Sequence, residues 1–317
     1  MTSKRTSRAV GAVVCAGLLW PTCVPSASAD PSDFTIAIPG FGAPVGMAAD
    51  TGGDRYWVTD GSAATTSTLV AVNSSGQKVA SVGWQARPRD VQALAWSKGT
   101  LYVGDIGDPE RNRDHVQVLS PTTLDAPQAS WKAWDLVYPD GPHDAAAMAM
   151  SGRGNLYVIT RGPSPGIYRA PSQLSRTGDN QLTRVADAPQ GVTDATFLPD
   201  GARLTMRTDS MVHVVDAYTW RSLASSLIQP SGGQAITTDV TGKGLEISGS
   251  DARVLAAEIP TTMATATPTP TPTASPQADP RDTSTAKSRT GTLVALLGAT
   301  ALALVAAGVT ALWGRRR

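Results

Sequence analysis

The sequence predicts an all-β protein: a five-bladed β-propeller ectodomain followed by one C-terminal transmembrane helix. Three observations carry this. Between residues 30 and 260 one unit recurs, with anchor positions Tyr56, Tyr102, Tyr157, Leu204 and Leu245 spaced 41–55 residues apart. Each unit breaks into short β-rich runs separated by Gly- or Asp-containing turns, the pattern of four-stranded propeller blades. The chain also begins and ends with charge-free apolar runs bordered by basic residues.

Taken in order, residues 1–29 form a secretory signal. Lys4, Arg5 and Arg8 precede an apolar run over 9–20, and Ala27-Ser28-Ala29 offers a small-residue cleavage site. Twelve apolar residues are too few to cross ~30 Å of hydrocarbon. Five units follow. Their entering strands fall at 46–50, 90–96, 144–150, 194–198 and 233–238, and their second strands at 55–60, 101–105, 156–160, 203–207 and 244–248. Third strands lie at 69–72, 116–119, 167–170, 212–216 and 254–257. Only the first four units have a fourth, at 78–84, 130–135, 182–186 and 222–227. The fifth runs out at Pro260, so its outer strand is expected from residues 34–38, which removes the free edges. Residues 30–260 are thus the propeller. Residues 261–290 are a Thr/Pro-rich stalk in which proline fixes φ and almost nothing apolar can be buried. Residues 291–313, GTLVALLGATALALVAAGVTALW, are long enough for a membrane-spanning helix, and the Arg315–Arg317 stub marks the cytoplasmic side of a 314–317 tail.

Composition narrows the function. The whole chain carries a net charge of +1; without the six basic residues of its two terminal segments, 21 basic face 26 acidic residues, a formal −5. Nucleic-acid binding through bulk charge is excluded. The only cysteines, Cys15 and Cys23, leave with the signal, so no disulfide framework, zinc site or thiol chemistry is expected. The sequence contains no GxSxG, SxxK or HExxH pattern and no phosphate-cradling P-loop.

Residues 90–113, reading DVQALAW…LYVGDIGDPERNR, resemble the second blade of a group of actinobacterial exported β-propeller proteins. Residues 156–161, Pro199-Asp200-Gly201 and Met206-Arg207-Thr208 match the same group, and the resemblance covers most of 40–258. It implies fold and extracytoplasmic location rather than activity. The group's Asn after DIGD is Pro109 here, and its Ser-Glu in the last blade is replaced within Ile247–Asp251. More distantly, the sequence is similar to esterase-like phytase propellers and to NHL and YVTN-type repeats.

Polar residues that end the second strands are expected to ring one channel mouth: Asp60, Asp105, Asp108, Arg161, Arg207 and Asp251. The acids of the entering strands, Asp50, Asp90, Asp144 and Asp194, read as turn and cap residues. Asp105, Asp108 and Glu110 supply hard oxygens suited to calcium, but Arg111 and Arg113 within the same loop can neutralise them instead. His143 is a general base only if it faces the channel; otherwise it is a loop residue. The favoured function is a binding module with no cofactor, anchored in the cell membrane by a single span and facing an unknown protein or cell-surface ligand. The alternative is a calcium-assisted ester or phosphoester hydrolase.

Overall fold

The structure, a computed structural model, describes residues 33–229 and 231–264. The expected signal, membrane span and cytoplasmic tail, and all of the stalk beyond residue 264, lie outside the described residues. Among the described residues no helix is long and apolar enough to cross a membrane.

Five antiparallel blades account for the domain. Blade one comprises Gly46–Asp50, Arg55–Thr59, Thr68–Val72 and Lys78–Trp84; blade two Val91–Ser97, Thr100–Asp105, Val116–Pro121 and Trp131–Val137. Blade three comprises Ala145–Met150, Leu156–Thr160, Gly166–Arg169 and Thr183–Asp187; blade four Asp194–Phe197, Arg203–Arg207, Met211–Asp216 and Ser222–Leu227. Blade five has Ile236–Thr238, Leu245–Ser248 and Arg253–Ala257, with Phe34–Thr35 as its outermost strand.

The inner strands neighbour one another in turn, and blade five returns to blade one. Five such strands around one axis leave little room, which explains the small residues in GMAAD and AAAMAM. A Cβ on Gly46 would lie 2.9 Å from the backbone nitrogen of Leu94 in the next blade. The apolar core is correspondingly divided into five clusters, one at each seam. Between blades two and three, for example, Val118 and Leu136 pack with Met148 and Tyr168. Between blades five and one, Val254 and Ala235 pack with Tyr56, Val58 and Phe34.

The ring closes as the strand count requires. Phe34 pairs with Val254 and Thr35 with Arg253, antiparallel. The Asp33 carboxylate accepts a hydrogen bond from the Ala256 N–H at 3.0 Å, and the Ile36 N–H donates to the Ala252 carbonyl at 2.9 Å. The strand proper is shorter than the expected 34–38, because by Ala37 the chain has crossed to blade one, where its N–H bonds the Gly76 carbonyl. Gly76 has φ +77°, and a Cβ there would overlap the Thr35 carbonyl oxygen. Phe34 stacks on Tyr56 with ring centroids 5.5 Å apart, joining the closing strand to blade one.

Three outer edges carry additions absent from the sequence reading. Gln128–Ala129 runs parallel along the outer strand of blade one, and Asn180–Gln181 along that of blade two. On blade four the Ser225 N–H donates to the Thr262 carbonyl at 2.9 Å, and the Ala264 N–H to Ser225 Oγ at 3.1 Å. These segments satisfy backbone groups that an open edge would expose. A one-turn helix, Ala63–Ser67, follows the second strand of blade one.

Candidate functional site

The two channel mouths differ in their chemistry. At the start mouth, where inner strands begin and second strands end, the polar residues expected to ring the channel are largely committed to neighbouring side chains and backbone groups rather than to one another. Asp105 is 1% exposed. Its carboxylate accepts from Arg113 Nη1 at 3.1 Å and Nη2 at 3.0 Å, and from the Arg89 and Asp90 N–H groups at 3.0 and 2.7 Å. Asp108 accepts the N–H groups of Asn112 and Arg113, shaping its own loop. Glu110 is exposed and accepts from the Asn112 side chain. Arg113, rather than Arg111, is therefore the neutralising partner of this loop. Asp105, Asp108 and Glu110 are not gathered into a common ligand set, and among the described residues no group of three or more His, Cys, Asp or Glu is placed to hold a metal ion.

The other expected members also hold seams. Arg161 Nε donates to Asp144 at 2.6 Å, and Asp144 in turn accepts the Asp108 N–H at 2.9 Å, joining blades two and three. Asp194, fully buried, accepts the N–H groups of Ala195 and, across the seam to blade five, Ile236. Arg207, also fully buried, donates through Nη1 to the Ala235 carbonyl at 2.7 Å, while its Nε and Nη2 have no partner among the described residues. Burial pushes the Asp194 carboxyl well above its ordinary value against the pull of those N–H groups and Arg207. Burial likewise pushes the Arg207 guanidinium down to about 10 against the attraction of Asp194 and Asp209. Asp60 accepts from Gly42, Ser62 and Thr65 in the loop leading to the short helix. Asp251 is exposed in a hairpin turn with Arg253 and does not join the buried belt.

Two placements correct the sequence reading. Asp50 ends its strand, so it lies at the opposite mouth from Asp90, Asp144 and Asp194, where it bonds Arg55 Nε at 2.8 Å. His143 is neither isolated nor directed at a nucleophile. Its Nε2 lies 3.0 Å from Asp140 and 3.1 Å from the Tyr168 hydroxyl, which itself donates to Asp140 at 2.9 Å. Burial, reinforced by the Asp140 carboxylate, pushes the Tyr168 hydroxyl up to about 12.

These carboxylates set an acid response of worked-out sign. Burial alone would raise Asp60, Asp200 and Asp239, but hydrogen bonds from their turns outweigh it and hold all three below 3.8. Their stabilisation is present above that value and is lost as pH falls through the lower folded values. Asp194 acts oppositely: its folded value is raised, so acid relieves its burial cost between that value and 3.8. Burial holds His213 below its ordinary 6.5, so acid costs stability there, and the Asp194 gain is read as a difference. The melting temperature of the parent minus that of Asp194→Asn should rise as pH falls from neutral toward about 4. A difference that stays flat over that range would contradict the Asp194 account.

At the turn mouth, where the hairpins joining inner and second strands gather, a cavity of about 560 Å³ opens. Trp96, Lys98, Met150, Thr196 and Thr237 line it. Lys98 and Gly99 both have positive φ, +50° and +76°, giving the two-residue turn that presents Lys98 at the rim. Across the mouth, the turns of blades three and four approach so closely that a Cβ on Gly152 would lie 3.0 Å from Gly201 Cα. A second cleft of about 490 Å³ lies between blades one and two, lined by Arg55, Thr123, Asp125 and Lys132. Asp50 and Trp96 border both spaces. A broader recess of about 1000 Å³ lies over Tyr56 and Glu246 at the closing seam, partly walled by the segment that leads out of the domain. Sequence reasoning missed the turn mouth. Its available signals were Trp96 and Phe197, aromatics at or near the ends of two inner strands whose other members are mostly small or aliphatic.

No protein-family model matches the chain, and no curated protein matches it by sequence. Solved structures do match. Kuenenia stuttgartiensis hydrazine synthase is 13% identical with a TM-score of 0.39, the match covering 64% of this chain and 61% of that one. A gluconolactonase from Xanthomonas campestris is 18% identical with a TM-score of 0.43, covering 67% and 71%. A candidate gluconolactonase is 14% identical with a TM-score of 0.43, covering 76% and 96%. Likeness at this level is confined to fold.

Proposed function

We propose that this chain is an exported binding module, tethered to the membrane by its C-terminal apolar segment, whose ligand enters the turn mouth. The observation that carries this reading is the contrast between the mouths. Apart from Arg207 Nε and Nη2, which are buried, salt bridges and hydrogen bonds occupy the buried carboxylates and guanidiniums at the start mouth, whereas the turn mouth keeps an open cavity of about 560 Å³. That volume lies within the range of small-ligand sites. The export signal, the stalk, the span and kinship with the actinobacterial exported propellers belong to the same proposal. The calcium-assisted hydrolase gains no support from the site geometry. Asp105 and Asp108 are spent on Arg113 and on backbone N–H groups, and none of the three histidines lines the turn-mouth cavity.

The test is adhesion of the full-length chain, purified in detergent, to cell-envelope fractions of the organism that makes it. Thr196→Trp, which fills the turn mouth from a half-buried position, should abolish adhesion; Glu110→Trp, at the start mouth, should leave it unchanged. The reverse pattern would place the ligand at the other mouth and overturn the proposal.

A further inference from the structure

We infer that the ligand of the turn mouth is a neutral saccharide chain. It would run from the channel cavity across Trp96 into the cleft between blades one and two. This rests on the turn-mouth reading and adds the ligand's chemistry and path.

The juxtaposition behind it is that one indole borders both a cavity of mixed lining and a polar cleft. Trp96 is half-buried: it packs against the core cluster of the seam between blades one and two, and it also lines both the 560 Å³ cavity and the 490 Å³ cleft. A ligand occupying both spaces must therefore cross it. The charges that border the two spaces nearly cancel. Asp50 is taken up by Arg55, Asp125 stands with Lys132 in the same cleft, and Lys98 at the cavity rim is left as a single positive charge. A lining so balanced offers no strong field for a polyphosphate or a polycation.

The remaining polar groups are mostly hydroxyls: Thr196, Thr237 and Thr238 in the cavity, and Ser120, Thr122 and Thr123 in the cleft. Thr237, Ser120, Thr122 and Thr123 each spend one bond on the backbone and keep a second donor or acceptor function. A hydroxyl both donates and accepts, so such a wall matches a ligand whose own groups do both. The electron-rich face of an indole attracts the slightly positive C–H face of a pyranose ring, as it attracts other positively polarised edges. The cavity wall is mixed, with Met47, Leu94, Met150, Phe197 and Leu198 beside its hydroxyls, but the polar cleft beyond Trp96 interrupts the continuous apolar surface that a lipid needs. The two spaces together are longer than one sugar ring, so affinity is expected to grow with chain length.

The experiment uses the full-length chain in detergent, immobilised through its C-terminal tail, and titrates mono-, tri- and hexasaccharides of α-1,4-glucan, β-1,3-glucan, β-1,4-linked N-acetylglucosamine and α-1,6-mannan. One series should bind, with affinity rising roughly tenfold or more from monosaccharide to hexasaccharide. Trp96→Leu, which keeps apolar bulk but removes the ring, should weaken the hexasaccharide by roughly tenfold, and Trp96→Phe should restore most of it. Asp125→Ala with Lys132→Ala should weaken the hexasaccharide but not the monosaccharide. If no saccharide binds while Thr196→Trp still abolishes envelope adhesion, the saccharide assignment is wrong and the turn mouth stands. If a saccharide binds but is indifferent to Trp96→Leu and to chain length, the path across Trp96 is wrong. If it is indifferent to Thr196→Trp as well, both readings fall.

Discussion

A chain lacking residues 33–39 is expected to lose cooperative unfolding rather than to melt slightly earlier. Phe34 and Ile36 are 7% and 3% exposed, and both belong to the cluster that joins blade five to blade one. Burial of two such side chains is worth about 3–6 kcal/mol, against a whole-domain margin of about 5–15 kcal/mol. The deletion also strips the ladder partners of Arg253 and Val254 and the aromatic lid of Tyr56. Blade five would then present an open edge at the one seam where first and last blades meet. Thermal or urea unfolding of the deleted chain checks this. A single sharp transition within a few degrees of the intact protein would show that the ring does not depend on its closing strand.

Arg113→Met should cost about 3–5 kcal/mol, the penalty for leaving a buried carboxylate without its cation. Asp105 is almost wholly inaccessible, and among the described residues the two guanidinium nitrogens are the only side-chain donors hydrogen-bonded to it; Arg113 itself also ties down the Gly107 carbonyl at 2.9 Å. A loss of that size lowers the melting temperature of a domain this large by roughly 6–20 °C. Asp105→Asn combined with Arg113→Met removes both charges and should recover part of the loss. Calcium and chelator should leave every one of these variants and the parent unchanged. A calcium-dependent gain near 2.7 kcal/mol at a hundredfold excess over the dissociation constant, abolished by Asp105→Asn, would reinstate the loop as a metal site and the hydrolase with it.

Much of the blade architecture is legible because turn chemistry and β-rich runs alternate without interruption. Gly46–Asp50, Lys78–Trp84, Leu156–Thr160, Arg203–Arg207 and Ser222–Leu227 lie where the sequence places them, bounded by Gly- or Asp-containing turns or by polar loops. Counting strands also located the closing segment, since four blades had four strands and the fifth had three. The paired two-residue strands at Gln128–Ala129 and Asn180–Gln181 were not legible, because two residues carry no periodicity. Nor was the helix at Ala63–Ser67, where Ser62 precedes a single turn without a side-chain cap bond.

The site was read less well for a geometric reason. Residue type suggested which side chains do chemistry, but the side of the ring depends on whether a residue begins or ends its strand. Asp50 was grouped with Asp90, Asp144 and Asp194 by its neighbourhood in the unit, although it closes the strand that Gly46 opens. Arg111 and Arg113 stand two apart in one loop, and only the backbone decides between them. Arg111 takes φ +52°, a turn conformation, while Arg113 reaches Asp105. The cleft beside Trp96 joins Arg55 of blade one to Lys132 of blade two, a pairing that exists only once the seam has formed.

The two hydrogen bonds that hold Thr262 and Ala264 to Ser225 on blade four have a mechanical meaning. A pull from the C-terminal side reaches this clip before it reaches Arg253–Ala257, the strand on which ring closure depends. Even with the weak Ser222 Oγ–Met263 Sδ bond at 3.5 Å beside them, these few bonds at an exposed edge are a weak link, and peeling them away releases a few residues of slack. Load is then dissipated at the rim of blade four, away from the closing seam and from both mouths. The domain can yield in extension before it yields in shape.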